Sequence, residues 1–410
     1  MLNYDALKML VAGDAVAIRG TARLEPAGGP GDKIFPPTHA VDDRNMKPGA
    51  KYAFETRRID GHDARCVLID SVQSQANRME EALEALWDEK KIALPVVSVD
   101  FSPIAPEVGR ITSLTAPHRI ADALLRDSLL DGQLFRLSRI GKSFTDASTK
   151  NATALFKVCP TGLVFGLWDS TGPKGGLGAK FQRTLVSEIV GINAALGTKT
   201  SSRIDPVTTG KIDYPLYKAA AREEMWTSDQ AQAVMENGEP VKVGKKERAG
   251  KPSAVVLGNI APTIDEVAGG VTIDEARHTV VLSLASLRRL GFNTAADEGR
   301  TVLAALGLLA VFAAESRGHD LRSRCLLVPK EGSALKLEAV ARDGSGAAVD
   351  LDLDGAISLY REAVNNLPAD LRFDKAPGEA LAELTPSPKL ADLVKKSREL
   401  GATEADDGDA

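Results

Sequence analysis

Cysteine, histidine and aromatic residues are all scarce in this 410-residue chain, and each scarcity removes a class of function. The three cysteines, Cys66, Cys159 and Cys325, lie far apart and form no CxxC pair. That spacing argues against a disulfide framework or a zinc knuckle and fits a reducing cytoplasm. The five histidines, His39, His62, His118, His278 and His319, show neither HExxH nor any paired spacing, so each reads as structural or surface. Aromatic residues make up 5% of the chain without an RNP-type cluster, which speaks against recognition by stacking bases on an open sheet. No GxSxG is present. No apolar run approaches the roughly 20 residues that span a bilayer. The longest, Val302 to Ala314, reads as a buried helix. The opening MLNYDALKML has neither a basic nor an apolar leader region, so no signal peptide is expected.

What is present is ordinary in amount and unusual in placement. Apolar residues at 43% and charged residues at 26% fit a globular protein with a full core, as one elaborated domain or two. The net charge is −5, which taken alone disfavours nucleic acid. Its distribution reverses that reading. Between Gly132 and Ile204 ten Lys/Arg face only Asp146, Asp169 and Glu188, while the chain ends in the acidic GATEADDGDA. Local charge decides where a phosphate backbone sits.

Patterning predicts a strand over Ala15–Leu24, then a Gly/Pro-rich loop, EPAGGPGDKIFPP. A short strand at Val67–Asp70 precedes a helix that buries Val72, Ala76, Met79, Leu83 and Leu86, with Asp70 and Gln73 as a capping box. Pro117 suits the first turn of a helix ending near Gly132. Gly162–Trp168 reads as a buried strand and Leu177–Ala195 as a helix with Phe181, Leu185, Ile189 and Ile192 inward. Glu236–Ser253 is an expected exposed loop and Leu257–Asp274 a protruding hairpin or extended loop. A second β-α-β unit follows, with strands at Thr279–Leu287 and Arg324–Val328 around a helix from Asp297 to Ser316. A hairpin over Leu335–Ala341 and Ala348–Leu353 and a helix to about Asn366 complete it. Two such halves separated by insertions point to an α+β, ferredoxin-like core.

Three stretches carry binding chemistry. TGPKGGLGAK supplies Lys174, Gly175, Gly176, Gly178 and Lys180, and lacks both a Gly-Lys-Ser/Thr and the third glycine of a dinucleotide fingerprint. It reads either as a tight connection or as an anion cradle. Lys180 and Arg183 in the first turn of the expected helix would oppose its dipole by a few tenths of a kcal/mol, an arrangement a bound phosphate offsets. Lys199-Thr200-Ser201-Ser202-Arg203 is either a solvated turn or a phosphate and ribose contact. Leu137–Lys150, with Arg139, Lys142 and Lys150 and followed by Asn151, is a third candidate. Asp32 in GGPGDK reads most simply as a turn residue.

LEPAGGPGDKIFPP, VLIDSVQSQANRMEEAL, LTAPHRIADALLRDS and, above all, FGLWDSTGPKGGLGAKFQRTLVSEIVGI…KTSSRIDP resemble the backbone subunit of type I-G (formerly I-U) CRISPR effector complexes, of the RAMP superfamily. The resemblance runs from about Tyr4 to Pro206, continues more loosely to Val328 and is weak beyond Ala341. It implies one elaborated domain over 1–400. Within it fall an RRM-like palm in halves of about 10–95 and 275–330, a finger insertion at 96–210, and a loop and thumb within 236–275. Residues 401–410 would be a disordered acidic tail. Such subunits polymerise head to tail along guide RNA and hold its backbone while its bases pair with target DNA. The implied partners are guide RNA, target DNA through the guide, neighbouring copies and other effector subunits, in the cytoplasm, with no cofactor or metal. RNA-cutting relatives use an aspartate in the loop after the first strand, where Asp32 stands; DNA-targeting complexes leave cutting to another protein, so no catalysis is expected here. The rival readings are an endoribonuclease using Asp32, a nucleotide-binding transferase using the Gly176 loop, and a scaffold docking an acidic partner.

Overall fold

A computed structural model describes residues 2–39, 51–145, 147–171, 179–207, 212–221 and 223–408, with side chains to Arg398. The chain falls into two compact units, residues 1–195 with 270–391, and residues 196–269 with 392–410.

The first unit is organised by an antiparallel sheet. Its first strand, β1 (Ala17–Pro26), alternates buried and exposed positions, as a half-buried strand should. The hairpin β2 (Phe54–Ile59) and β3 (His62–Asp70) follows, then helix α1 (Val72–Asp88). Far along the chain come β4 (Leu185–Ile192), β5 (Glu275–Ser283), helix α2 (Ala296–Glu315), β6 (His319–Asp320), β7 (Leu326–Pro329), β8 (Lys336–Val340) and β9 (Gly346–Val349). The strands lie side by side as β2-β3-β4-β5-β1-β7-β6, with β8 also pairing β1 and β9 pairing β8. The register between β1 and β5 runs from Ala17 opposite Ser283 to Leu24 opposite Ala276.

Helix α2 fills the core. Thirteen of its twenty residues are buried, so it is apolar nearly all round, the composition of a helix surrounded by protein. Asp297 and Glu298 occupy its first turn, where the helix dipole favours carboxylates. A smaller sheet in the same unit joins Val97–Asp100, Arg110–Thr112, Ser128–Leu130 and Gln133–Leu134 to Ala382–Pro386, which runs parallel to the first of these. In the second unit, Lys199–Arg203 pairs with Ile260–Asp265 as an exposed antiparallel ribbon.

Several expected elements differ, each for a local reason. Leu185–Ile192 is a strand, not a helix. Phe181, Leu185 and Ile189 recur every four residues, which is also an even number, so one face of a strand accommodates them as well as a helix stripe does. Gly162–Trp168 is largely helix (Pro160–Phe165), opened by Pro160 and stopped at Gly166 with φ +89°. The expected helix after Pro117 breaks because Asp122 caps a new short helix, accepting from the Leu124 N–H. Ser71 rather than Asp70 caps α1, and Asp70 turns inward. The acidic tail from Gly401, expected to be disordered, is helical to Gly408.

Candidate nucleic-acid interface

The turn at Gly166 builds one wall of a broad cleft in the first unit. Arg119, itself at φ +55°, grips Glu80 through Nε and Nη2, both at 2.7 Å, and donates from Nη1 to the Gly166 carbonyl at 3.1 Å. Burial pushes the Glu80 carboxyl up to about 7, against the opposing pull of Arg119. A Cβ at Gly166 would lie 3.1 Å from Arg183 Cγ and 3.3 Å from the Phe181 carbonyl oxygen. The chain there therefore needs glycine both for its left-handed φ and for its clearance. Beyond the turn, Leu167 pairs with Phe181 and Trp168 with Lys180. The Lys180 ammonium sits 5.3 Å from the centre of the Trp168 ring, within cation–π range.

The cleft encloses about 1280 Å³. His118, Arg126, Lys180, Arg183 and Arg289 line it with Trp168, and no carboxylate is among its described lining residues. Lys180, Arg183 and Arg289 are exposed and make no ion pair among the described residues. Arg126, by contrast, is engaged by Asp127, and Arg119 by Glu80. Three unneutralised cations in a concave wall without acids make a positive field focused on the groove. Trp168 is 56% exposed beside them, an aromatic face next to exposed cations. Such a face stacks a base irrespective of its identity.

The sequence candidates separate into three groups. Lys180 and Arg183 meet in the cleft. The helix N-terminus expected beneath them is absent, because β4 is a strand, so the dipole argument does not apply and the anion preference rests on side chains alone. Arg139 and Lys142 are exposed on a short helix, Arg139–Thr145, and Lys150 is exposed next to the cleft residue Thr149. Asn151 has a structural role: its amide donates to Asn293 at 2.8 Å and its oxygen accepts from the Thr153 N–H. Lys174, Gly175, Gly176 and Gly178 lie outside the described residues.

Lys199, Ser201, Ser202 and Arg203 belong to the second unit and form a strand rather than a turn. Lys199 lies 3.3 Å from Asp265, Arg203 3.9 Å from Asp205, and Ser201 bonds Thr263 at 2.8 Å. The exposed Lys199–Asp265 pair holds by at most about 1 kcal/mol, weak enough for a phosphate to compete, whereas Asp205 is buried. Asp32 is exposed in a tight loop and accepts from the Lys33 N–H. Trp168, Arg289 and His118 were missed. Trp168 stood in the quoted FGLWDS motif, but Arg289 reaches the cleft from a segment more than a hundred residues away and carries no sequence signal.

Residues 18–196 match the model of the family described as CRISPR-associated protein GSU0053. Over that span, which is less than half of its length, the chain is similar to a CRISPR-associated family. The match covers most of the stretch whose motifs carry the resemblance, and it includes Lys180, Arg183 and Trp168. A solved structure, Thermofilum pendens Csc2, aligns at 12% identity over 96% of this chain and 80% of that one, with a TM-score of 0.26, too low to carry an argument. No curated protein matches the chain. None of the helices in the described residues is long and apolar enough to cross a membrane.

Trp168→Ala is expected to weaken binding to single-stranded RNA by about 1–3 kcal/mol, the usual worth of one base–aromatic stack. The loss should be alike for homopolymers of different bases, measured by fluorescence anisotropy.

Proposed function

We propose that this chain is a non-catalytic backbone subunit of a type I-G CRISPR effector complex. In this reading it polymerises along guide RNA and holds the sugar-phosphate backbone so that the bases pair with target DNA. The observation that carries it is the cleft with free Lys180, Arg183 and Arg289, an exposed Trp168 and no lining acid. Cations, a stacking face and no base-edge selectivity describe a reader of backbone rather than of sequence. The CRISPR-associated family match over 18–196 supports the same conclusion.

The strand order supports an RRM-like palm. Numbered along the chain, β1, β4, β5 and β7/β8 are the four core strands, with α1 ahead of the second and α2 ahead of the fourth. They lie in the order 4-1-3-2, that of a β-α-β-β-α-β core. The hairpin β2–β3 extends it at one edge. The ribbon of Lys199–Arg203 and Ile260–Asp265 is a better thumb than the basic loop before it: its paired strands are exposed, and Ile264 is 70% exposed. An apolar side chain on such a ribbon suits a wedge between bases.

The deciding experiment is co-expression with the other effector subunits and a repeat–spacer array, followed by purification and sequencing of bound RNA. Repeat-derived guides are expected at a fixed length; random cellular RNA, or none, would overturn the reading. The assembled complex is also expected to leave complementary RNA intact with or without Asp32→Ala. Cleavage that this substitution abolishes would make the protein an endoribonuclease.

A further inference from the structure

A buried polar chain runs through the first unit, away from the cleft, and it ends on an unsatisfied histidine. Asp70, wholly buried, accepts from Gln75 Nε2 at 2.7 Å. This fixes the Gln75 amide so that its oxygen faces Ser187, whose hydroxyl donates to it at 2.9 Å. With its one proton so placed, Ser187 Oγ must accept from His278 Nε2, 2.8 Å away. His278 is thereby held as the Nε2–H tautomer. Its other nitrogen, Nδ1, is left with a bare lone pair in a side chain that is 2% exposed, and it has no hydrogen-bond partner.

That lone pair points at a carboxylate. Glu315 Oε1 lies 3.1 Å from His278 Nδ1 and 3.6 Å from His319 Nε2. The two imidazoles meet edge to face, with ring centres 5.5 Å apart. One ligand atom from each of the three residues falls within 4.8 Å of the others. Two imidazole nitrogens and a carboxylate oxygen converging in a buried place favour a positive species between them, a proton or a metal ion. A small cavity of about 170 Å³ borders Glu315 and His319, with room for an ion and its water. Its other charged walls balance, Arg78 and Arg317 against Glu81 and Asp320.

We infer that His278 Nδ1, Glu315 and His319 Nε2 form a binding site for a divalent transition-metal ion of the zinc class. Two imidazoles and one carboxylate are a donor set that suits zinc, with water from the cavity completing a tetrahedron. Ser187 is the outer partner that orients the first ligand, the arrangement metal-bound histidines usually show. The ion would tie the end of α2 to the sheet strands β5 and β6, in a chain whose cysteines offer no metal motif.

Full-length protein, stripped with chelator and dialysed, is titrated with Zn²⁺ by calorimetry, and its bound metal is counted by mass spectrometry. One equivalent per chain is expected, with affinity lower by at least about tenfold in both His319→Gln and Glu315→Gln, the loss typical when a metal site is disturbed. No stoichiometric binding by the unaltered chain, or equal affinity in both variants, would overturn the assignment. Should either variant fail to fold, zinc X-ray absorption on the unaltered protein decides. Two imidazole nitrogens with oxygen support the site, and sulfur ligation overturns it.

Discussion

Replacing Lys180, Arg183 and Arg289 together by alanine should lower affinity for single-stranded RNA by about a hundredfold near physiological salt. Non-specific backbone binding of micromolar strength spread over six to ten phosphate contacts assigns about 1 kcal/mol to each, and three such contacts are removed. The same change should flatten the dependence of log affinity on log salt by about two, since each lost contact removes roughly 0.7. Both readouts matter. A drop in affinity with an unchanged slope would mean that the cations support the cleft's shape and do not touch phosphate. A loss confined to some sequences would mean base reading, against the backbone role. The three side chains are exposed and make no ion pair among the described residues, so the folded state should survive, and the melting temperature is expected to move little.

The second large effect concerns Glu80. Glu80→Ala should destabilise the protein by about 3–5 kcal/mol in denaturant unfolding, because it leaves the buried Arg119 guanidinium without its counter-charge. The raised carboxyl gives the pair a pH signature. With the folded value near 7 against an unfolded value near 4.5, the native state takes up the proton first. The contribution is therefore fully present below about 4.5 and is lost as the pH rises through about 7. That slope should vanish in Glu80→Ala. Replacing both partners by Met should recover most of the stability, as buried ion pairs exchanged for apolar packing often do. It should not recover RNA binding in full, because the Arg119 bond to the Gly166 carbonyl is gone and the turn before Trp168 is free to shift. If the double replacement were as unstable as the single one, the cost would lie in packing and not in charge.

How far the chain could be read in advance depended on whether a pattern was ambiguous locally. The strand at Ala17–Pro26 and the helix at Ala296–Glu315 were legible because strict alternation and a long all-apolar run each have one explanation. Leu185–Ile192 was not, since a spacing of four serves both periods; the weight of Val186, Ile189, Val190 and Ile192 as strand formers was the signal passed over. Pro160 and Gly166 bracketed a short helix in plain view, hidden by the apolar content between them. In the cleft, Lys180 and Arg183 were found for a reason that failed: they do not oppose a helix dipole, yet they are free cations. Arg289, like the meeting of His278 with Glu315 and His319, depends on long-range pairing that linear spacing does not encode.

The margins of the large sheet bear on whether another chain can extend it. At one end β2 reads FETRRI and carries Glu55, Arg57 and Arg58; at the other, β6 is two residues long and β9 four. Charged or abbreviated outer strands discourage backbone-to-backbone extension by a stranger. Edge strands of this kind favour contacts through side-chain surfaces over backbone pairing. The chain is left without a ready seam along which to fuse into insoluble ribbons.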